Sequence, residues 1–484
     1  MGKGHKNTRL HGIGSLMTSG MINQGLGALR LLFFAPLLGM AGFGALRLAS
    51  TASAIFSSVA GLGLYTCYMR YLPEVKDPVA AEIFIRKTYF WSIVPSLLIA
   101  AIFMIFRNEF AMFLFFDKSY LFLGFLVCIS VPITVIYKSY LGVAMGRGRF
   151  KDSAVGEAIQ NLIYFIMGLA ILLFVVKDAS LVFGSFLIGM GASIIWLMIF
   201  SPKIILTKKK DKVADELFKR ALKFSLWFAL IPLFQYLFDF IDRWMLARYY
   251  NLETTGAYSL IPILTGGMFV LGRAMMPVVA RKGAELKSNK SHQTSQAFVW
   301  GGMAITMLGS MIYAFLLRIA EPLVWIILGK NWSKASSILP LFLSYSIFYN
   351  MFNILGCFAA LEEKTWVHVI ALIAGAGSNI FFNWLLIRPY GITGAAIGTL
   401  IGLLVSMSAH LVFIHLSGIV IPFRSWFIML LTFAPILPDA IFYAIFVMIL
   451  IFAIKGSLIL KDSDRRMLAV WYATIIRKMK SSAA

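Results

Sequence analysis

Long apolar stretches recur along nearly the whole chain. Of its 484 residues, 60% are hydrophobic and 13% are charged, and the mean hydropathy is +0.84. A soluble protein of this length could not bury that much apolar surface, whereas a helix of about 20 apolar residues crosses a bilayer. The alternation with period two that is typical of membrane β-barrels is not seen. The sequence therefore predicts an all-α, polytopic membrane helix bundle.

The apolar stretches define about 14 predicted spans. They are residues 12–36, 43–72, 87–106, 120–145, 154–176, 181–200, 224–248, 255–279, 298–317, 339–361, 367–387, 392–415, 425–437 and 440–454. The last two stretches are short and are separated by Pro438, so one longer pass is the alternative to two. Two spans are favoured because an even total agrees with the charge distribution.

Lysine and arginine residues outside the spans alternate between rich and poor loops. Thirty-one lie in one set of loops and eight in the other. Cytoplasmic loops carry the excess, so both termini are predicted to be cytoplasmic and the protein to lie in the inner (cytoplasmic) membrane. The net charge of +23 is then explained by topology and by attraction to anionic membrane lipids, and no nucleic-acid partner is expected.

The N-terminal segment and the cysteines indicate no processing and no cross-links. Polar residues interrupt the first apolar stretch and no small-residue cleavage site follows, so we predict a first span and not a removed signal. Cys67, Cys128 and Cys357 all lie within predicted spans without pair spacing. Neither a disulfide nor a metal site is expected.

The two halves of the chain are weakly similar. A shift of 212 positions aligns Phe43-Gly44-Ala-Leu with Thr255-Gly256-Ala-Tyr, and a basic segment separates spans six and seven. This predicts two pseudo-symmetric six-helix lobes in parallel orientation. The predicted domains are an N-terminal lobe (1–202), a basic cytoplasmic linker (203–223), a C-terminal lobe (224–416), two extra transmembrane helices (417–456) and a cytoplasmic amphipathic tail (457–484).

Four cations lie inside predicted spans: Arg30, Lys138, Arg243 and Arg273. A lone charge at the bilayer centre costs roughly 2.5–3.5 kcal/mol, so four facing lipid would cost about 10 kcal/mol. They are therefore expected to line a polar cavity. Further polar residues in spans that are expected to face it are Asn23, Arg47, Glu157, Asp239, Asp242 and Asn350.

Each of these residues also has a purely structural interpretation. Asp239 and Arg243 are four residues apart and would neutralise each other on one helix. Arg47 and Glu157 would be solvated if they lay near a membrane surface. Asn23 and Asn350 would form hydrogen bonds between helices. Arg30, Lys138 and Arg273 have no acidic residue within one helical turn, which favours a functional role.

A cavity with unpaired cations suits an anionic ligand, because arginine binds phosphate oxygens in bidentate fashion. No Gly-x-x-x-x-Gly-Lys-Ser/Thr loop is present, so ATP hydrolysis is not expected. A transporter is predicted rather than an enzyme. Asp239, Asp242 and Glu157 are the candidates for proton or sodium coupling, and no other cofactor is expected.

Several segments resemble one family of transporters. The stretch from Asn379 through Asn383, Pro389, Gly391 and Gly394 to Gly398 resembles the signature of the polysaccharide flippases, in the multidrug/oligosaccharidyl-lipid/polysaccharide exporter superfamily. The segments Gly39-Met-Ala-Gly42-Phe-Gly44, Arg70-Tyr-Leu-Pro-Glu74 and Asp242-Arg243 are similar to that family too. The resemblance implies a flippase of the O-antigen type, used in lipopolysaccharide biosynthesis. Such a protein moves an undecaprenyl-pyrophosphate-linked oligosaccharide to the outer leaflet by alternating access.

The expected substrate-binding residues are Arg30, Lys138, Arg243, Arg273, Asn23 and Arg47. The expected partners are the lipid-pyrophosphate oligosaccharide, membrane lipids and other polysaccharide-assembly membrane proteins. Alternatives are flipping of the peptidoglycan or another envelope precursor, drug/ion antiport, or a membrane polysaccharide polymerase or glycosyltransferase. Only Asp462-Ser-Asp464, which is similar to the metal-binding acidic pair of some transferases, favours an enzyme.

Overall fold

The computed structural model describes the backbone of residues 4–75, 77–200, 211–288, 292–362, 364, 366–462 and 464–465. Side chains are described in those ranges from Ile22 onward, except at positions 74, 213, 224, 226–229, 273–274, 277–278, 281–282, 284, 288, 292, 331 and 360. The described residues are mostly helical and contain no strand. The predicted all-α fold is confirmed.

Seventeen α-helices lie in the described ranges. They are α1 Gly4–Ala60, α2 Tyr65–Tyr71, α3 Pro78–Ile105, α4 Arg107–Phe115, α5 Leu121–Gly146, α6 Phe150–Phe174, α7 Ala179–Phe200, α8 Lys212–Tyr249, α9 Leu252–Thr265, α10 Phe269–Ser288, α11 His292–Ile319, α12 Glu321–Leu328, α13 Lys330–Ser336, α14 Leu339–Leu361, α15 Trp366–Leu416, α16 Phe423–Leu431 and α17 Asp439–Lys455.

Most of these helices overlap the predicted spans, but the short helices α4, α12 and α13 lie between spans and were not predicted. Within the described part of the chain, nine helices are long and apolar enough to cross a membrane. Two of them, α1 and α15, each cover two predicted spans. The helical path breaks at Gly39 (φ +72°) in α1 and at Gly391 (φ +56°) in α15. Both positive φ values favour glycine, because at such angles the Cβ atom of another residue is strained against its own backbone.

The region after α15 is less regular than the two spans predicted for it. After α15, the predicted span 425–437 contains the nine-residue helix α16 and a short 3₁₀ turn, Ala434–Ile436, before α17 begins at Asp439. Two separate helices, α16 and α17, therefore follow α15. That they form two membrane spans stays a prediction. The predicted amphipathic tail beyond Arg465 lies outside the described residues.

The predicted linker 203–223 is helical from Lys212 onward, where α8 begins. Asp211 caps α8, because its Oδ1 accepts a hydrogen bond from the Ala214 N–H at 2.8 Å. The first turns of α8 are bound to the preceding helices, since Lys87 forms an ion pair with Asp215 and Cys67 Sγ lies 3.3 Å from the Ala221 carbonyl. Residues 203–210 of the linker lie outside the described residues.

The chain forms two compact units. Unit 1 comprises Met1–Ile263 and Asn383–Ala395, and unit 2 comprises Leu264–Phe382 and Ala396–Ala484. The lobe boundaries predicted at residues 202, 224 and 416 stay predictions.

Within unit 1, helices α1, α5, α6 and α7 pack on one another, and α8 packs on α1 and α3. In unit 2, α10, α11 and α14 pack together. There the Nδ2 of Asn350 donates to the Met268 carbonyl and to Ser310 Oγ, both at 2.9 Å. This agrees with the interpretation of Asn350 as a hydrogen-bonding residue between helices.

A reciprocal glycine contact joins α1 to α9 inside unit 1. A Cβ atom on Gly44 would lie 2.1 Å from the Leu252 carbonyl oxygen, and one on Gly256 would lie 2.0 Å from the Met40 carbonyl oxygen. The shift of 212 positions relates Gly44 to Gly256 and Met40 to Leu252. The contact is therefore symmetric in the way that the internal repeat predicts, and only glycine allows the two backbones to approach so closely.

This contact predicts a stability difference between two glycine-to-alanine variants. Gly44→Ala should destabilise the protein by about 1–3 kcal/mol, because the added methyl group meets backbone atoms that cannot move independently. Gly191→Ala in α7 is the matched control, since nothing lies within 4 Å of its Cβ position. It should be neutral or stabilising by up to about 1 kcal/mol. Thermal unfolding in detergent measures both, and equal melting temperatures for the two variants would contradict the contact.

Candidate functional site

The first part of the site lies between α1 and α6. Arg30 Nη1 donates a hydrogen bond to Asn161 Oδ1 at 2.9 Å, and the guanidinium carbon lies 4.6 Å from the centre of the Tyr164 ring. Asn23 Nδ2 lies 3.4 Å from Glu157 Oε2 on the same pair of helices. Arg30 is thus held by a neutral amide and an aromatic face, and it makes no ion pair with any described side chain. Its charge remains uncompensated by direct contact.

The second part lies on α8 and α9. Arg243 is only 2% exposed, and its Nε donates to Ser259 Oγ at 3.2 Å. Its Nη1 donates to the Asp239 carbonyl oxygen and lies 3.7 Å from Asp239 Oδ1. The predicted neutralising pair therefore forms. The Asp239 side chain is nevertheless 58% exposed, so it keeps contact with solvent or a ligand.

Arg47 interacts with residues of both parts of the site. It interacts electrostatically with Arg243 and Arg30 as well as with Asp239 and Tyr164. Its Nε is buried and has no hydrogen-bond partner among the described atoms. Three guanidinium groups therefore lie near one another. Around Arg47 the two other guanidinium groups outnumber the one carboxylate, that of Asp239, so positive charge is in excess there.

This excess is costly without a ligand. A buried cation without a counter-charge loses hydration that only an anion or several hydrogen-bond acceptors can replace. We refer to Arg30, Arg47 and Arg243 together as the arginine cluster. Its uncompensated charge and the free N–H of Arg47 make it a candidate binding site for an anion.

Lys138 lies in a separate aromatic pocket of unit 1. Its Nζ is 5.8 Å from the centre of the Tyr65 ring and 5.4 Å from that of Tyr236. A cavity of about 10 Å³ beside it is lined by serine hydroxyls and has room for about one water molecule. Tyr236, Asp239 and Arg243 follow one another at spacings of three and four residues, so they share one face of α8. The lysine pocket and the arginine cluster therefore both involve that face.

Asp242 is the buried acid of the region. It is 2% exposed; Tyr258 donates its hydroxyl hydrogen to Oδ2, and Asn383 Nδ2 donates to Oδ1. These neutral donors stabilise a carboxylate without cancelling its charge. Asp242 is therefore held differently from Asp239, although both lie on α8.

Arg273 is the remaining predicted site residue. Its backbone lies in α10, within unit 2, and its side chain lies outside the described residues. Its predicted role in substrate binding stays a prediction.

Sequence reasoning missed three contributors. Tyr236, Ser259 and Asn383 contact Lys138, Arg243 and Asp242, respectively. Tyr236 could have been found by its spacing of three from Asp239. Asn383 belongs to the stretch that resembles the flippase signature, but nothing in the spacing shows that it reaches Asp242.

Asp462 and Asp464, the acidic pair considered for an enzyme, form ion pairs with arginines. Arg424 Nη1 donates to Asp464 Oδ2 at 2.6 Å, and the Lys461 backbone N–H donates to the same oxygen at 3.0 Å. Arg465 forms an ion pair with Asp462 at 2.9 Å. Among the residues that the structure describes, no group of three His, Cys, Asp or Glu side chains could hold a metal ion.

Comparison with known proteins places the chain in a family. Residues 10–282, more than half of the chain, match the family described as polysaccharide biosynthesis protein. The chain is also 21% identical over 398 residues to the probable low-salt glycan biosynthesis flippase Agl15 of Haloferax volcanii, covering 82% of this chain and 81% of that protein.

Solved structures show the same fold. The lipid II flippase MurJ in an inward closed conformation superposes with a TM-score of 0.68 at 15% identity, over 95% of this chain and 99% of that one. A multidrug resistance MATE family transporter of the MOP superfamily, in an inward-facing conformation, superposes with a TM-score of 0.66 at 13% identity, over 80% of this chain and 93% of that one. The resemblance read from the sequence is thereby confirmed. This chain belongs to the polysaccharide biosynthesis protein family, and it is a multi-pass membrane protein with the helical fold of the MOP superfamily.

Proposed function

We propose that this protein is a flippase that moves an undecaprenyl-pyrophosphate-linked oligosaccharide from the cytoplasmic to the outer leaflet of the inner membrane. The family match and the similarity to a glycan flippase support transport of a lipid-linked glycan. The observation that carries the finer proposal is the arginine cluster of unit 1. In this function both termini are cytoplasmic, and the protein moves its substrate by alternating access without making or breaking covalent bonds.

The pyrophosphate is the part of the substrate that fits the arginine cluster. It carries several negative charges and acceptor oxygens close together, and guanidinium groups bind such oxygens in bidentate geometry. Within the described part of the chain, Arg47 Nε is a donor that lacks a partner, and Arg30 contacts a neutral amide and a ring but no carboxylate. Binding an anion would satisfy both. Lys138, near the rings of Tyr65 and Tyr236, is a fourth cation close to the same face of α8.

Asp242 is the coupling residue that we propose. Its carboxylate is buried between a tyrosine hydroxyl and an asparagine amide, where gaining a proton or a sodium ion would change its hydrogen bonds to both. Asn383 lies in α15 about two helical turns before Gly391, so that change could pass along the helix to its kink. Asp239 and Glu157 remain as less enclosed candidates for the same role.

The peptidoglycan precursor is the main alternative substrate. A lipid-linked peptidoglycan unit also contains a pyrophosphate, so the arginine cluster would serve it equally well. An exporter of organic cations is disfavoured by the same cluster, because its excess charge repels a cation.

Arginine-to-alanine variants test the site. Arg30→Ala and Arg47→Ala should each slow flipping by roughly 10- to 100-fold, because a hydrogen bond to a charged group contributes about 1.5–3 kcal/mol. The assay follows a fluorescent undecaprenyl-pyrophosphate oligosaccharide in proteoliposomes. Arg107→Ala is the control, since that arginine is exposed at the start of α4. Unchanged flipping in folded Arg30 and Arg47 variants would contradict the proposal.

Asp242→Asn tests the coupling. The asparagine keeps the shape of the side chain but cannot change its charge, so flipping should lose its dependence on an imposed proton or sodium gradient. Glu109→Gln, an exposed position in α4, is the control and should keep that dependence. The measurement is the initial flipping rate with and without each gradient. An equal gradient response in Asp242→Asn and the parent, or none in the parent, would exclude coupling at Asp242.

A further inference from the structure

A pocket in unit 2 is not used by the site described above. It has a volume of about 510 Å³ and lies where the end of α11, the helices α12 and α13 and the start of α17 meet. That volume is in the range of small-molecule binding sites. The residues that give the pocket its chemistry are Arg318, Glu321, Trp325, Ser333, Asp439 and Tyr443.

The pocket lies beside an apolar helix that is too short to cross a bilayer. Helix α12 has eight residues, about 12 Å in length, and exposes Leu323, Ile326 and Ile327 by 63%, 70% and 48%. Such a helix is expected to lie along the membrane surface with its apolar side in lipid. The predicted topology places this end of unit 2, with Arg318 and Lys330, on the outer side. The pocket would then open where a lipid-linked group emerges after crossing.

The charges of the pocket exclude a phosphate as its ligand. Arg318 forms an ion pair with Asp439, and Glu321 adds a second carboxylate, so acidic groups outnumber the guanidinium group. The pocket is therefore opposite in sign to the arginine cluster of unit 1. A second anion-binding site for the same pyrophosphate does not fit here.

The hydrogen-bonding groups fit a ligand with many hydroxyls. The Arg318 side chain is 9% exposed, and its Nε is buried without a hydrogen-bond partner among the described atoms. The Asp439 carboxylate is 58% exposed, and the Ser333 hydroxyl lies on the pocket wall. Sugar hydroxyls donate to carboxylates and accept from guanidinium N–H groups. One hexose ring could therefore form hydrogen bonds both with the acceptors and with the donors of the pocket.

An aromatic surface completes the arrangement. Trp325 lines the pocket with a 56% exposed side chain, and Tyr443, which is hydrogen-bonded to Arg318, lines it too. The C–H face of a pyranose ring is apolar and packs on an indole face, while its equatorial hydroxyls point to the rim. A tryptophan, two carboxylates and a guanidinium within one cavity are thus complementary to a neutral or amino sugar.

We infer that this pocket binds a sugar unit of the translocated glycan on the outer side of the membrane. The inference rests on the proposed function, since the flippase brings the glycan to this side. The pocket would hold the glycan once the pyrophosphate has left the arginine cluster, and so oppose its return.

Binding of soluble sugars tests the pocket directly. Methyl glycosides of glucose, galactose, N-acetylglucosamine and glucosamine are titrated into the full-length protein in nanodiscs, with saturation-transfer NMR and tryptophan fluorescence as readouts. At least one glycoside should bind, and Trp325→Ala and Glu321→Gln should each weaken it at least tenfold. Trp366→Ala is the control, because Trp366 is similarly exposed (52%) but lies at the start of α15 and does not line the pocket; it should change nothing.

Two results would overturn the inference. One is that none of the glycosides binds, and the other is that binding is equal in the parent, Trp325→Ala and Glu321→Gln. The flipping assay separates this inference from the proposed function. A parent that flips the lipid-linked glycan but binds no glycoside refutes the pocket alone, whereas a parent that binds glycosides in the pocket but flips no lipid-linked glycan refutes the flippase.

Discussion

A guanidinium group inside a membrane-spanning bundle must find acceptors or a counter-charge, because the bilayer offers neither. Three arginines of unit 1 differ in how far they meet this requirement. Arg243 is paired with Asp239, and Arg30 with an amide and a ring, whereas the buried Nε–H of Arg47 has no acceptor among the atoms that the structure describes. A bound anion would supply the missing acceptor and counter-charge. This unmet need, rather than the fold, is the basis for proposing that the cluster binds the pyrophosphate.

The backbone of unit 1 is arranged around glycines that permit the close approach of helices. The kinks at Gly39 and Gly391 redirect two long helices, and the Gly44–Gly256 contact brings α1 against α9. On α1, Arg47 follows Gly44 by three residues, and on α9, Ser259, which accepts a hydrogen bond from Arg243, follows Gly256 by three. The glycine contact therefore lies about one helical turn from both residues. The internal repeat thus has a physical role, since it supplies matching glycines to both sides of one contact.

The sequence predicted the fold class and the approximate positions of the long helices, because a bilayer imposes a strict length and polarity on every span. It did not predict the short helices α4, α12 and α13, which lie between the predicted spans. It could not predict which polar residues meet. The partner of Arg30 is Asn161, 131 positions away, and the partner of Asp242 is Asn383, 141 positions away. Such pairings depend on helix rotation and register, which no spacing rule supplies. The pocket of unit 2 was missed for the same reason, since α12 and α17 are far apart in sequence.

Two sites of opposite charge fit a substrate with two chemically different parts. The arginine cluster suits the pyrophosphate and the acidic, aromatic pocket suits a sugar, while the polyprenyl chain would remain in lipid. The central claim is that the arginine cluster recognises the pyrophosphate itself. The most direct test compares the affinity of the protein in nanodiscs for undecaprenyl pyrophosphate and undecaprenyl monophosphate. The parent should bind the pyrophosphate at least tenfold more tightly and Arg30→Ala/Arg47→Ala should lose that preference, whereas an equal preference in both proteins would contradict the account.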